Sequence, residues 1–302
     1  MTTMLASIER AGYATVQDGG RPGLTPVGVP ASGAFHRQRY LVATALLSGV
    51  ADPSRPAVEV LAGELRMAVA VESVLAVVGP GELQIDGRPT AVGTAVLVHA
   101  DSRVAVVPHG SGPIYVVISG WTPPRVLGSA ATDTFSQLGG GLLASGSLLV
   151  GTPEPQAQAR VGAFHRPLAT ATGALRAVSF PNSAIAGLTS ELWTVTSVAR
   201  SGVRISGPAL PAHGSGASMP VVPGAIQATP DGSAIILGPD GGVTGGYPVA
   251  AVVASADLDR ISLLRTGDPL TIRMVDVDEA ARAWRHHERE LGRSVAHPDL
   301  LP

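Results

Sequence analysis

A chain of 302 residues, 45% of them hydrophobic, is long enough to bury two separate cores, so two domains is the expectation that length sets. Its 21 basic and 23 acidic residues leave a formal charge of −2 with no block of either sign, so no surface is prepared to neutralise phosphates and nucleic acid is excluded as a partner. The absence of cysteine removes disulfides, thiolate nucleophiles and Cys-ligated zinc, and every basic residue is arginine. Without lysine the chain cannot carry covalently attached biotin, form a Schiff base, complete a phosphate-binding G-x-x-x-x-G-K-[ST] loop or build a Ser-Ser-Lys amidase centre. The N-terminus lacks a basic segment followed by an apolar run, and no stretch reaches 18 uninterrupted apolar residues, so the expectation is a soluble, cytoplasmic protein with no membrane segment.

In chain order, the first dense motif is TVQDGGRPG at 15–23, followed by GVPASGAFHR at 28–37. Gln17, Asp18 and Arg21 place an amide, a carboxylate and a guanidinium among glycines that permit positive φ, which suits a small anionic or amide-bearing ligand. The same residues also suit an Asp18–Arg21 pair that does no more than fix a turn. Ser32 and Gly33 open onto RQRYLVATALLS at 37–48, which lacks Gly and Pro and reads as a helix with Tyr40, Leu41, Ala43, Thr44 and Leu47 near one face. His36 reads as a helix-start residue.

Short Val-, Ile-, Leu- and Ala-rich runs follow at 58–62, 65–71, 74–78, 82–86, 94–99, 103–108 and 113–119, with Asp86-Gly87 as a two-residue hairpin signal. The segment 121–170 reads as loops and short pieces and carries the expected domain boundary near its end. A second strand set is expected at 174–180, 192–198, 203–206, 234–238, 249–254 and 270–275, punctuated by Asp231-Gly232. So many short apolar strands are best protected by closure, giving a mainly β chain of two β-barrel-like domains with few short helices. The expected limits are 1–170 and 171–275, with a helical tail over 276–302.

The second polar concentration is GAIQATPDGSAIILGPDGGVTGGYP at 224–248. If AIQAT and AIILG pair as a hairpin, Gln227, Asp240, Thr244 and Tyr247 are drawn together, and the glycine-rich loop through Gly245 and Gly246 can present N–H groups to an oxyanion. Asp18 and Asp240 are the acid–base candidates in this scheme. Gln17, Arg21, Ser32, Gly33 and Gln227 are substrate-binding candidates, together with Thr244, Gly245, Gly246 and Tyr247. The histidines are scattered without metal-ligand spacing, so no metal site is expected.

TVQDGGRPG, GVPASGA, LGS at 127–129, GAIQATPDG, TGGYP and ADLDRISLLRTGDPLTIRM at 256–274 occur in the order and spacing of one family. The chain resembles, over about residues 5–275, the family of biotin-dependent-carboxyltransferase-like proteins variously called KipA, allophanate hydrolase subunit 2 or the C subunit of 5-oxoprolinase. The resemblance implies cyclophilin-like β-barrels and a partner resembling KipI or the B subunit of 5-oxoprolinase. It further implies a third protein, resembling the A subunit of that enzyme, in an ATP-dependent opening of the lactam 5-oxoproline to glutamate, a hydrolase reaction carried out only in the complex. Nucleotide is then a property of the complex, and no cofactor is held covalently by this chain. Two other roles fit the resemblance: a non-catalytic regulator that binds a KipI-like inhibitor of a histidine kinase, and a carboxyltransferase component of the urea carboxylase type. The chain departs from the pattern at His36, where Asp is usual, at Gly128-Ser129-Ala130-Ala131-Thr132, where GSRST is usual, and before TGGYP, where Asp-Arg-x-Thr is usual and Asp240 is followed by Gly241-Gly242-Val243.

Overall fold

The computed structural model describes residues 2–154, 161–162, 164–165, 173–179, 188–189, 192–210 and 217–296. The expected boundary at 170/171 and the residues His213 and His297 lie outside them. The chain forms two units, one over residues 1–21, 36–168 and 290–302, the other over 22–35 and 169–289. The glycine- and proline-rich connection after Arg21 therefore groups with the second unit, and the helical tail is divided between the two.

Two sheets enclose the core of the first unit. One runs, in spatial order, Leu148–Gly151, Thr3–Arg10, Leu65–Val69, Arg103–Pro108, Gly81–Ile85 and Arg88–Thr90. The other runs Tyr13–Gln17, Ala57–Ala62, Ile114–Ile118, Ser73–Val78, Thr94–Val98, Phe164–His165 and Val295–Ala296. Side chains such as Leu5, Met67, Val104, Val58, Leu75 and Val116 share one buried cluster between them. The sequences SVLAVV and IYVVI are buried at every position, because one face meets that cluster and the other is covered by helix α1, Arg37–Ser48. The helix correspondingly buries every residue from Tyr40 to Leu47, so it is apolar all round rather than on the one face its spacing suggested. His36 is its N-cap, with Nδ1 accepting from the Arg39 N–H at 3.4 Å, and Gly49 ends it in the left-handed region at φ 83°. Asp86 and Gly87, at φ 51° and 74°, form the expected hairpin turn between paired strands.

The second unit is a single eight-stranded sheet in the order Pro269–Leu270, Trp193–Ala199, Gly202–Ser206, Ala234–Leu237, Ala225–Ala228, Val249–Val253, Leu175–Ser179, Ile272–Met274. Its two outermost strands are successive pieces of one chain segment, interrupted only at Thr271, whose carbonyl accepts from the Leu175 N–H at 2.8 Å. The sheet thus comes round on itself as a nearly closed barrel, and its edges are removed as the density of short apolar strands requires. Trp193 fills the interior, fully buried, with its indole N–H donating to the Leu188 carbonyl at 3.1 Å. The protein is mainly β with cyclophilin-like barrel architecture and few helices, and among the described residues no helix is long and apolar enough to cross a membrane.

A buried carboxylate ties the barrel's seam together. Asp257 stands just before the one-turn helix α2, Leu258–Ile261, which supplies Arg260. Asp257 is fully buried and accepts from the Arg176 backbone N–H at 2.8 Å, from Arg176 Nε at 3.0 Å and Nη2 at 2.6 Å, and from Arg260 Nη1 at 3.2 Å. Burial alone would raise the Asp257 carboxyl, but the Arg176 hydrogen bonds and charge, with Arg260, hold it below the usual carboxylate value. Because the folded-state value is depressed, this stabilisation is present above the unfolded value of about 3.9 and is lost as pH falls below it. Replacing Asp257 with Ala is expected to cost about 3 kcal/mol at pH 7, since two guanidinium groups lose their counter-charge. In denaturant titrations at pH 7 and pH 3 the gap between wild type and Asp257→Ala should narrow at the lower pH. A gap that does not change would count against this assignment.

Candidate functional site

Residues singled out from the sequence fall into two groups, one in each unit. In the first unit Gln17 ends the strand Tyr13–Gln17, and the chain then turns through Asp18. The Asp18 carboxylate is 2% exposed. Oδ1 accepts from the Gly20 N–H at 2.8 Å and the Ser129 hydroxyl at 2.5 Å, and Oδ2 from the Ala130 N–H at 2.7 Å and Arg125 Nη1 at 3.1 Å. Arg21, also 2% exposed, donates to the carbonyls of Val126 and Ala131. The expected Asp18–Arg21 pair does not form, although the segment does turn here. Its carboxylate takes Arg125 as a cation, and Arg21 serves the backbone of the LGSAA segment.

Arg125 extends this network outward. Its Nη2 donates to the Ser54 carbonyl at 2.5 Å, and the 52–55 loop is fixed by Tyr40, whose hydroxyl lies 2.7 Å from the Arg55 carbonyl and 3.0 Å from that of Pro53. Burial first, and the Asp18 charge second, push the Tyr40 phenol well above its ordinary value, so it remains a donor at every physiological pH. Beside this lattice the fully buried Gln17 amide donates from Nε2 to Thr15 Oγ1 at 3.0 Å and the Thr132 carbonyl at 3.1 Å, while its Oε1 has no partner among the described residues.

In the second unit the strands Trp193–Ala199 and Gly202–Ser206 are joined by the two-residue turn Arg200-Ser201. Arg200 points inward and meets Asp240 as a fork: Nε to Oδ2 and Nη2 to Oδ1, both at 2.8 Å, with side chains 1% and 0% exposed. Nη2 also donates to the Gly33 carbonyl at 2.7 Å, and the guanidinium lies 6.0 Å from the Phe35 ring centroid. The Asp240 N–H returns to the Arg200 carbonyl at 3.2 Å, and the Ser32 N–H donates to the Pro239 carbonyl at 3.2 Å. Ser32 is held at φ 51°, an uncommon conformation for a residue with a Cβ, and its buried hydroxyl has no partner among the described residues.

AIQA and AIIL pair antiparallel as expected, with the turn held by Asp231, whose carboxyl is lowered to about 2 by hydrogen bonds from Thr229 and Ser233. Gln227, 5% exposed, sits at an irregularity in the register with Val249–Val253, and its Nε2 has no partner among the described residues. Thr244 and Gly245 form a short ladder with Met219 and Pro220. A Cβ on Gly245 would stand 2.6 Å from Gln227 Nε2, so glycine here is what leaves room for that amide. Gly246 and Tyr247 follow, with the Tyr247 ring 39% exposed.

The structure thus joins Gln17, Asp18 and Arg21 to residues 125–133, and Ser32 and Gly33 to the Arg200–Asp240 pair. Sequence reasoning missed Arg125 and Arg200. Neither stands in a motif, and only strand pairing brings Arg200 to a carboxylate forty positions later. Among the described residues no cluster of His, Cys, Asp or Glu could hold a metal ion.

Two relatives, each named as the C subunit of 5-oxoprolinase, are similar over almost their whole length. The Escherichia coli (strain K12) protein is 27% identical over 305 residues, covering 95% of this chain and 96% of that one. The Haemophilus influenzae protein is 28% identical over 297 residues, covering 94% and 96%. Among solved structures, TTHA0988 superposes with a TM-score of 0.80 at 26% identity over 90% of this chain and 56% of that one, so this chain spans about half of its length. Kluyveromyces lactis urea carboxylase superposes with a TM-score of 0.83 at 22% identity, over all of this chain and 30% of that one, which is a likeness of fold. Residues 27–274 match the family described as carboxyltransferase domain, subdomain A and B, and the chain belongs to that family.

Proposed function

We propose that the protein is the C-type component of a 5-oxoprolinase complex, which opens 5-oxoproline to glutamate at the expense of ATP together with a KipI-like, B-type partner and an A-type partner. The near full-length similarity to two proteins of the C-type name supports the assignment. The observation that carries a ligand-binding role is narrower. Three of the residues picked out by motif, Gln17, Ser32 and Gln227, each bury a polar atom with no partner among the described residues. An unmet buried polar atom costs about 1–3 kcal/mol, a cost that a bound polar ligand removes.

A lactam offers a carbonyl oxygen and a ring N–H, so it suits these groups in kind. In the second unit Gln227 Nε2 and the Ser32 hydroxyl are donors for an oxygen on which charge develops. In the overall reaction the ring C–N bond breaks, water supplies the new carboxylate oxygen, and the ring nitrogen leaves as the amine of glutamate. We assign Asp18 and Asp240 a positioning part in this chemistry, because their oxygens are already engaged by Ser129, Ala130 and Arg125 and by Arg200. The loops bearing Arg21, Gly33, Thr244, Gly246 and Tyr247 take their shape from those contacts and from the ladder at Gly245.

The test is co-expression with the B-type and A-type proteins, followed by an assay of ATP-dependent glutamate release from 5-oxoproline. The wild-type complex should turn over. A stable complex without turnover would remove the enzymatic reading and leave the regulatory one, in which the chain binds a KipI-like inhibitor. Gln227→Leu should lower kcat by about 10²-fold with little change in Tm, because it removes a donor without unpairing a buried charge. Gly245→Ala should act in the same direction by displacing the Gln227 amide. Asp240→Ala should lower Tm as well as activity, since Arg200 is left buried and uncompensated at a cost of about 3–5 kcal/mol. Loss of activity in Asp240→Ala with unchanged Tm would instead place that carboxylate on the substrate.

A further inference from the structure

The helix α3, Val277–Arg293, lies beyond the residues that match the carboxyltransferase family. Its inner face carries Ala280, Trp284, His287 and Leu291 at helical spacing. Leu291 is buried, and Trp284 stacks on His287 with ring centroids 5.5 Å apart. Its outer face is mostly basic, with the exposed Asp278 one turn before Arg282. Arg282, Arg285, His286, Arg289 and Arg293 are all exposed, and their spacing of three, four, seven and eleven residues sets them in one stripe. From Arg282 to Arg293 the stripe is roughly 16 Å long at 1.5 Å per residue.

The helix's own carboxylates lie at its N-terminal end or on its flanks. Glu279 is held by Arg273, and Glu290 stands 3.4 Å from Arg293. Arg282, Arg285 and Arg289 meet no carboxylate among the described residues. Arg10, Arg66, Arg103 and Arg273 each face one, and the exposed Arg88, Arg204 and Arg265, which meet none among the described residues, are on separate elements rather than in a row. Arg282, Arg285 and Arg289, three guanidinium groups without counter-charges on one face, are a template for carboxylates, which each fork can take in a bidentate manner.

We propose that the outer face of α3 docks an acidic protein surface, that of the KipI-like, B-type partner. The identity of the partner rests on the function proposed above. Charge complementarity is what selects a protein. A helix lying on a membrane buries large apolar side chains beneath its basic ones, and the outward arc from Arg282 to Arg293 carries none. A nucleic-acid-binding domain is basic overall, whereas this chain has a net charge of −2 and a pI near 6.4.

The test measures binding of the purified B-type protein at 50 and 300 mM NaCl, for wild type and for the triple variant Arg282→Gln, Arg285→Gln, Arg289→Gln. A circular-dichroism melt confirms that the variant folds. Wild-type binding should weaken at least tenfold between the two salt concentrations. The variant should bind at least tenfold more weakly at low salt and lose most of the salt dependence. If wild type and variant bind the partner alike while the complex still releases glutamate, the docking proposal is wrong and the functional one stands. If wild type binds no partner and no turnover appears, both are removed. Duplex DNA and phosphatidylserine vesicles are the control probes, and tighter binding to either, abolished in the triple variant, would overturn the choice of a protein.

Discussion

A guanidinium and a carboxylate sealed from water, Arg200 against Asp240, set the shape of the glycine-rich end of the second barrel. Water would otherwise solvate both ions, so their burial is tolerable only because the fork is complete and the Gly33 carbonyl accepts a further bond from Nη2. That last bond ties residues 22–35 into the unit, although in sequence they belong with the first strands. The close approach is possible because Gly238 has no side chain, since a Cβ there would collide with the Arg200 carbonyl oxygen.

The first unit solves the same problem with different parts. Asp18 is ringed by two backbone N–H groups, a hydroxyl and Arg125, and the 125–133 segment wraps around it. Tyr40 fixes the loop that receives Arg125, so a helix residue far from any motif takes part in shaping the motif. Both loops are therefore rigid by electrostatics, because their glycines confer no preference for one conformation.

Against that rigidity the unmet atoms on Gln17, Ser32 and Gln227 are informative. A fold that pairs its buried carboxylates so completely still leaves the Gln17, Ser32 and Gln227 atoms without a partner among the described residues. Ser32 adds backbone strain at φ 51°, and Gln227 sits at a register irregularity, two features that recur where a side chain must be aimed rather than packed.

Much of the architecture was legible beforehand. Short Val-, Ile-, Leu- and Ala-rich runs marked the strands, Asp86-Gly87 and Asp231-Gly232 marked the turns, and the absence of lysine ruled out whole chemistries, because these are local or compositional properties. The helical tail was visible for the same reason. What tertiary structure alone decided were the partners of charges: Arg125 beside Asp18, Arg200 facing Asp240, and Arg176 with Arg260 on Asp257. That the expected closure of the second barrel would run through 269–274 was equally invisible. Most of these ion pairs, and the barrel seam, join residues forty to a hundred positions apart, and no local preference encodes them. They follow from which strands lie side by side, a choice made by burial of the whole chain rather than by any one segment.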